Sequence, residues 1–179
     1  MLNGLNIFKD VIIRLNRNNI DYMVSGSVAM NYYSIPRMTI DLDIIVEIKD
    51  PEAFFMAFKD DYYIDECSVK DAIKNKSLFN IIHLDELMKV DFIIKKDNDY
   101  RSKEFERRKK IIFNDFFIYI VSIEDLVISK MLWAIKRNSE QQIKDIKNLL
   151  GEKIDLIYIK KWIKILGIDD FYKEIDGSS

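Results

Sequence analysis

The sequence predicts an α+β (α/β) fold, with a mixed β-sheet flanked by helices and a helical C-terminal segment. Three observations carry this reading. Leu5, Phe8, Val11, Ile12 and Leu15 recur at helical spacing near the start. Two later stretches, Asp41 to Ile48 and Lys89 to Ile94, alternate apolar and polar residues with the period of a strand. The last third, from Ser122 onward, carries helical stripes and capping residues instead of alternation.

The 179 residues make one domain, or one domain with a small appendage. Apolar residues make up 49% and charged residues 32%, the balance of an ordinary soluble globular chain. A net charge of −2 argues against a generally basic, sequence-blind nucleic-acid binder, though not against a local basic patch. Cys67 is the single cysteine, so no internal disulfide framework is expected, which suits a reducing cytosol. Met1 to Asn6 has no signal-peptide character, and no apolar run approaches the roughly 20 residues that span a bilayer. The expectation is a cytoplasmic protein with no membrane association.

Residues 4 to 18 read as an amphipathic helix ended by Asn18 and Asn19. Ile20 to Ser25 is a short strand leading to Gly26. Gly26 permits backbone angles closed to other residues and lets a phosphate approach the main chain. Ser27 can cap a following helix, Val28 to Tyr33, or bond a phosphate oxygen itself. Read alone, Gly26-Ser27 is also a plain strand-to-helix turn. Ser34 to Thr39 is a loop fixed by Pro36. Arg37 is either a solvated loop charge or a partner for a carboxylate or phosphate. Thr39 is either an ordinary β-former or a hydrogen-bond partner for the loop.

On the next strand, Asp41, Asp43 and Glu47 share one face, while Leu42, Ile44, Val46 and Ile48 share the other. Two carboxylates this close repel unless a cation lies between them. Such a pair on a rigid element is a usual way to hold Mg²⁺ against a triphosphate.

Asp50 caps a helix over residues 51 to 60, with Pro51 in its first turn and Phe54, Phe55 and Phe58 facing a core. Tyr62 to Ile64 reads as a strand, and Asp65, Glu66 and Asp71 as solvated surface. Leu78 to Leu84 and Lys89 to Ile94 form a hairpin. His83 has no partner histidine or cysteine, so no zinc site is expected. Asp91 sits mid-strand among apolar residues, a costly place unless it is paired or metal-bound. A lysine salt bridge and a metal site both satisfy it.

Asp97 to Lys110 carries Arg101, Lys103, Arg107, Arg108, Lys109 and Lys110. It is either a solvated helix or loop, or a basic rim for a polyanion such as RNA. Ile111 to Phe113 and Phe116 to Val121 flank an Asn114-Asp115 hairpin turn. Ser122 caps a helix in which Leu126, Lys130, Trp133 and Arg137 form one stripe. A second helix, Gln141 to Leu150, carries Asp145 and ends at Gly151. A third spans Ile154 to Leu166, and a short turn follows over Asp169 to Ile175. Lys130 and Asp145 are, on this reading alone, surface charges of a helix pair.

The stretch Gly26 to Glu47 resembles the signature of the polymerase-beta-type nucleotidyltransferase superfamily: a Gly-Gly or Gly-Ser pair, a short helix, then Asp-x-Asp on a strand. Arg37-Met38-Thr39-Ile40-Asp41-Leu42-Asp43 is similar to the Arg-x-Thr-x-Asp-x-Asp form of the branch containing AbiEii-type toxins. SIEDLVISKMLWAIKR and Lys144-Asp145-Ile146 resemble downstream motifs of that branch. The resemblance implies a nucleotidyltransferase core over residues 1–121, with residues 122–179 as a helical segment packed on it. It implies Mg²⁺ or Mn²⁺ on Asp41, Asp43 and Asp91, with Asp91 also activating the attacking hydroxyl. It implies nucleotide contacts from Gly26, Ser27, Arg37, Thr39 and Asp145, and a catalytic Lys130.

The implied activity moves a nucleoside monophosphate from a nucleoside triphosphate to an acceptor hydroxyl. For a toxin paired with an antitoxin, the acceptor is tRNA or protein. The alternatives are a small-molecule (antibiotic) nucleotidyltransferase and a non-catalytic nucleotide-binding module.

Overall fold

The first helix starts earlier than its apolar stripe suggests. In the computed structural model, which describes residues 2–36, 41–137 and 139–177, α1 spans Leu2–Arg17. Ile7, Phe8, Val11, Ile12 and Leu15 form its buried face. A left-handed turn at Asn19 then leads into β1 (Asp21–Val24), α2 (Gly26–Tyr33) and β2 (Leu42–Glu47). Arg37 and Thr39, both expected nucleotide contacts, lie outside the described residues.

After β2 the chain makes a long excursion. α3 (Pro51–Phe58) is capped as expected: the Asp50 carboxylate accepts from the amides of Glu52 and Ala53, both at 3.0 Å. β3 (Tyr62–Tyr63) follows. The next element, α4 (Glu66–Asn75), keeps Asp65 and Asp71 on the expected exposed surface but is a helix that the sequence does not predict. Asp65 caps it by accepting from the Ser68 amide at 2.7 Å, and Val69 and Ala72 bury its inner face. β4 (Leu78–His83) and β5 (Lys89–Ile94) close the excursion as the expected hairpin.

α5 (Asp99–Glu106), β6 (Lys109–Phe113) and β7 (Phe116–Ile120) come next. The helical segment holds α6 (Ile123–Arg137), α7 (Glu140–Leu150), α8 (Leu156–Leu166) and α9 (Asp169–Asp176). Ser122 caps α6, its hydroxyl accepting from the Asp125 amide at 3.2 Å. Gly151 does end α7, but at φ −75°, so no left-handed cap forms there.

Among the described residues the sheet has seven strands, in the order β3-β4-β5-β2-β1-β7-β6. It is mixed: β2 runs parallel to β5 and β1 parallel to β7, while the other neighbours are antiparallel. One face is sealed by an aromatic cluster in which Phe54 of α3 meets Phe79 at 5.4 Å and Phe92 at 5.1 Å. Fully burying one such side chain contributes about 1.5–3 kcal/mol. α1 closes the same core, its Arg14 reaching the Ala57 carbonyl of α3 and its Asp10 accepting from the Tyr62 hydroxyl, both at 2.8 Å. The other face of β2 and β5 is left to the site.

The charged segment 97–110 holds a helix and exposes charges at Lys103, Glu106, Lys109 and Lys110, as in the solvated reading, but its three arginines are held by internal partners. Arg107 donates to Asp125 and Glu124, each at 3.0 Å, and stacks 3.8 Å over the Tyr158 ring. Arg108 donates to Asp21 at 2.9 Å and lies over Phe105. Arg101 reaches a buried Glu104. Their charges serve to fasten α5 and the start of β6 to α6, α8 and β1.

Candidate functional site

The parallel pairing of β2 with β5 sets Ile44 opposite Phe92 and, one step back, Asp43 opposite Asp91. Neighbouring strands lie about 4.8 Å apart, so the two carboxylates project from one face as near neighbours. Two same-face residues on adjacent strands keep this relation without help from a loop. Asp41 stands just before β2 and is exposed, while Asp43 and Asp91 are half-buried.

Gly26 closes one side of this pair. Its φ is +58°, and a Cβ placed there would lie 1.9 Å from the Asp43 Oδ2. Both the angle and the contact require glycine. The Ser25 amide donates to the Asp43 carbonyl at 3.0 Å, which fastens the turn to β2. Ser27 is not the cap of α2. Ser25 holds that position, without a side-chain cap bond, and Ser27 lies in the first turn, at the lining of the cleft.

Electrostatics mark Asp43 out. Burial pushes its carboxyl above the usual carboxylate range, and the charges of Asp91 and Asp41 push the same way. Lys130 and Lys89 pull it back. Asp91 Oδ2 is paired with Lys89 at 2.8 Å. Its Oδ1 is buried with no hydrogen-bond partner among the described residues. A carboxylate oxygen in that position accepts a cation readily.

Among the described residues no group of three or more His, Cys, Asp or Glu side chains is arranged to hold a metal ion. Asp43 and Asp91 therefore make a pair with Asp41 at its edge, not a cage. That donor set fits Mg²⁺ in particular, which is commonly held by one or two carboxylates and completed by water and substrate phosphates.

A cleft of about 620 Å³ opens over Gly26, Ser27, Asp41 and Asp43. Its far wall is α6, where Leu126, Lys130, Trp133 and Arg137 form the stripe visible in the sequence. Lys130 is buried and donates to Asp145 at 2.7 Å and Gln142 at 3.1 Å. Gln141 donates to the other Asp145 oxygen at 2.8 Å. The cleft lining includes Lys130 but not Asp145. The acid thus lies behind the lysine and orients it.

Sequence reasoning missed a second buried group on the cleft. Glu104 is 1% exposed, and both its oxygens accept from Arg101 Nη1, at 2.9 and 2.8 Å. The Ser129 hydroxyl donates to Glu104 at 2.5 Å and accepts from Arg101 at 2.6 Å. All three side chains line the cleft. The signal was the three-residue spacing of Arg101 and Glu104 on one helix.

No protein-family model matches the chain, and no curated protein matches it. Solved structures do. The lincosamide antibiotic adenylyltransferase LnuA, in its lincomycin-bound form, superposes with a TM-score of 0.58 at 15% identity, over 84% of this chain and 97% of that one. The antibiotic-resistance factor ANT(2'')-Ia superposes at 0.57 and 10% identity, over 98% and 95%. An antigenic nucleotidyltransferase-like protein from Paracoccidioides brasiliensis gives 0.50 and 17%, over 78% and 71%. The fold is therefore of the nucleotidyltransferase type, a seven-stranded mixed sheet flanked by helices with a helical C-terminal segment. The likeness is to antibiotic adenylyltransferases of this fold and does not single out the AbiEii-like branch. No helix among the described residues is long and apolar enough to cross a membrane.

Proposed function

We propose that this chain is a Mg²⁺-dependent nucleotidyltransferase that moves a nucleoside monophosphate from a nucleoside triphosphate to a hydroxyl of a small molecule. The observation that carries the reading is the in-register pair Asp43 and Asp91 on parallel strands, closed on one side by Gly26. Residues 1–121 would supply the sheet and the carboxylates. Residues 122–179 would supply the wall of the cleft.

Asp41, Asp43 and Asp91 would hold Mg²⁺, or Mn²⁺ in its place. When bound, the metal neutralises phosphate charge and aligns the triphosphate. The bare Gly26 lets phosphate oxygens approach the main chain, and Ser27 offers a hydroxyl in the first turn of α2. Lys130, oriented by Asp145, sets positive charge on the cleft wall facing Asp43. Asp91 takes the proton as the acceptor oxygen forms its bond to the α-phosphorus. The bond from the α-phosphorus to the bridging oxygen breaks, and pyrophosphate leaves. Positioning and charge neutralisation carry such a reaction, so few residues suffice.

A small-molecule acceptor is preferred to tRNA for a specific reason. Arg107 and Arg108, the arginines of the basic segment nearest such a role, are occupied by internal ion pairs with Glu124, Asp125 and Asp21. The antibiotic adenylyltransferases of similar fold favour the same choice. A toxin acting with an antitoxin partner has no comparable support.

The test offers purified protein, Mg²⁺ and each α-labelled triphosphate to aminoglycosides, lincosamides, other hydroxylated small molecules and total tRNA. Label on a small molecule, lost in Asp43→Asn and Asp91→Asn, is the expected result. Label on tRNA or on protein would restore the toxin reading. Triphosphate binding without label on any acceptor would make the chain a nucleotide-binding module.

A further inference from the structure

A second concavity, of about 370 Å³, adjoins the cleft and shares four lining residues with it: Lys96, Arg101, Leu132 and Lys136. Its remaining wall is largely aromatic and apolar, with Tyr100, Trp162, Ile165 and Leu166. Buried Tyr100 packs against Trp162 with ring centroids 5.2 Å apart and the planes tilted by 57°, which leaves the half-buried Trp162 as the aromatic surface a ligand can reach. Three of its lining residues are cationic, and Asp99 is its one carboxylate among the described residues.

Arg101 stands at the junction of the two spaces. Its guanidinium is held by the buried Glu104 and Ser129, so its place is built into the fold. The distance from the carboxylates also matters. Asp91 and Ile94 lie three residues apart on β5, about 10 Å at about 3.3 Å per residue, and Lys96 of the cationic end follows just beyond the strand. Between them the cleft floor is apolar, with Ile45, Ile93 and Leu78. The order along the floor is thus carboxylate, apolar, cationic.

We propose that this second concavity is the acceptor subsite, and that the acceptor is an acidic small molecule with a flat apolar body. Its phosphate or carboxylate would lie on Arg101, Lys96 and Lys136, its ring on Trp162, and its hydroxyl would point along the floor toward Asp43 and the carboxylate pair. A polycationic amino sugar meets like charge at the same wall, which disfavours it. The inference rests on the nucleotidyl-transfer reading and narrows its substrate class.

The probes are 2-naphthyl phosphate, 2-naphthoate and the matching cation 2-naphthylmethylamine. Binding is measured by calorimetry on the full chain, and by Trp162 fluorescence in a Trp133→Phe protein. Both acids should bind at least tenfold more tightly than the amine, with and without saturating Mg·ATP. Arg101→Gln should weaken them at least tenfold. Because that change also strips a partner from buried Glu104, the double variant Lys96→Gln/Lys136→Gln serves as a second probe and should weaken them several-fold. Equal binding of acid and amine, absence of acid binding, or displacement of the acids by Mg·ATP would overturn the proposal. Acid binding that depends on Arg101, in a protein that binds no triphosphate, would uphold the subsite and defeat nucleotidyl transfer instead.

Discussion

Lys130 Nζ donates to Asp145 Oδ2 at 2.7 Å, joining α6 to α7 through two side chains that are each less than a tenth exposed. The pair does two things at once. It ties the helical segment together, and it fixes the height at which a positive charge meets the cleft. Removing one partner leaves the other buried and uncompensated, a loss of about 3–5 kcal/mol. Asp145→Leu should therefore destabilise the protein far more than the double variant Lys130→Met/Asp145→Leu. Urea unfolding of wild type, both single variants and the double variant measures the coupling. Additive losses would show that the pair is not linked.

Gly26→Ala tests the closed side of the site. The left-handed angle alone costs a residue with a Cβ about 1–2 kcal/mol, and the Asp43 contact adds to that. The variant should lose about 2 kcal/mol or more and lose triphosphate affinity with it. Gly167→Ala serves as the control. It shares the positive φ but meets no atom within 4 Å, so it should show only the conformational cost. Equal losses at the two glycines would refute the contact argument.

Stability should depend on pH through Glu47. The hydrogen bond from Lys95, at 2.8 Å, holds the Glu47 carboxyl below its usual range. A carboxyl lowered in the folded state contributes stability above its unfolded pKa, about 4.3, and loses it as pH falls through the folded value. Glu47→Gln should cost about 0.5 kcal/mol at pH 7, since the pair is only partly shielded from water. The difference from wild type should begin to shrink as pH falls toward about 4.3 and vanish once it has passed below the lowered folded value. A difference that grows on acidification would reverse the sign of the argument.

Arg107 offers a prediction opposite to an RNA-binding role. Asp125 is fully buried and receives Arg107, Ser122 and Tyr158. Arg107→Ala should cost about 3 kcal/mol by leaving that carboxylate short of its cation. A surface residue reserved for RNA would instead leave the melting temperature unchanged and weaken tRNA association.

The sequence made the local elements legible where one signal dominated. Alternation around Asp43 and Asp91 marked β2 and β5, and the stripe of Leu126, Lys130 and Trp133 marked the cleft face of α6. Other features depended on what a single chain does not display. The Asp43–Asp91 register requires two strands separated by a long excursion to pair in parallel, and alternation is the same for any register. α4 was hidden because Glu66, Lys70, Asp71 and Lys74 outweigh the short stripe of Val69 and Ala72. Arg101, Arg107 and Arg108 read as solvent charges because a sequence gives their sign and not their partners. Those partners lie on α5 itself, on α6 and on β1.

The parallel register has a consequence for the birth of the protein as well as for its chemistry. Asp43 is made early, but its counterpart arrives only after α3, β3, α4 and β4 have been synthesised and folded back. Closing so long a segment is slow relative to helix or hairpin formation, because the loop entropy is lost before the strands gain their contacts. A chain still emerging from the ribosome therefore carries half of the carboxylate pair, with β2 exposed along the edge that β5 will occupy. Ligand competence should appear late, together with the docking of β5. A pulse-labelling time course of triphosphate protection during refolding would resolve that delay from the earlier formation of helices.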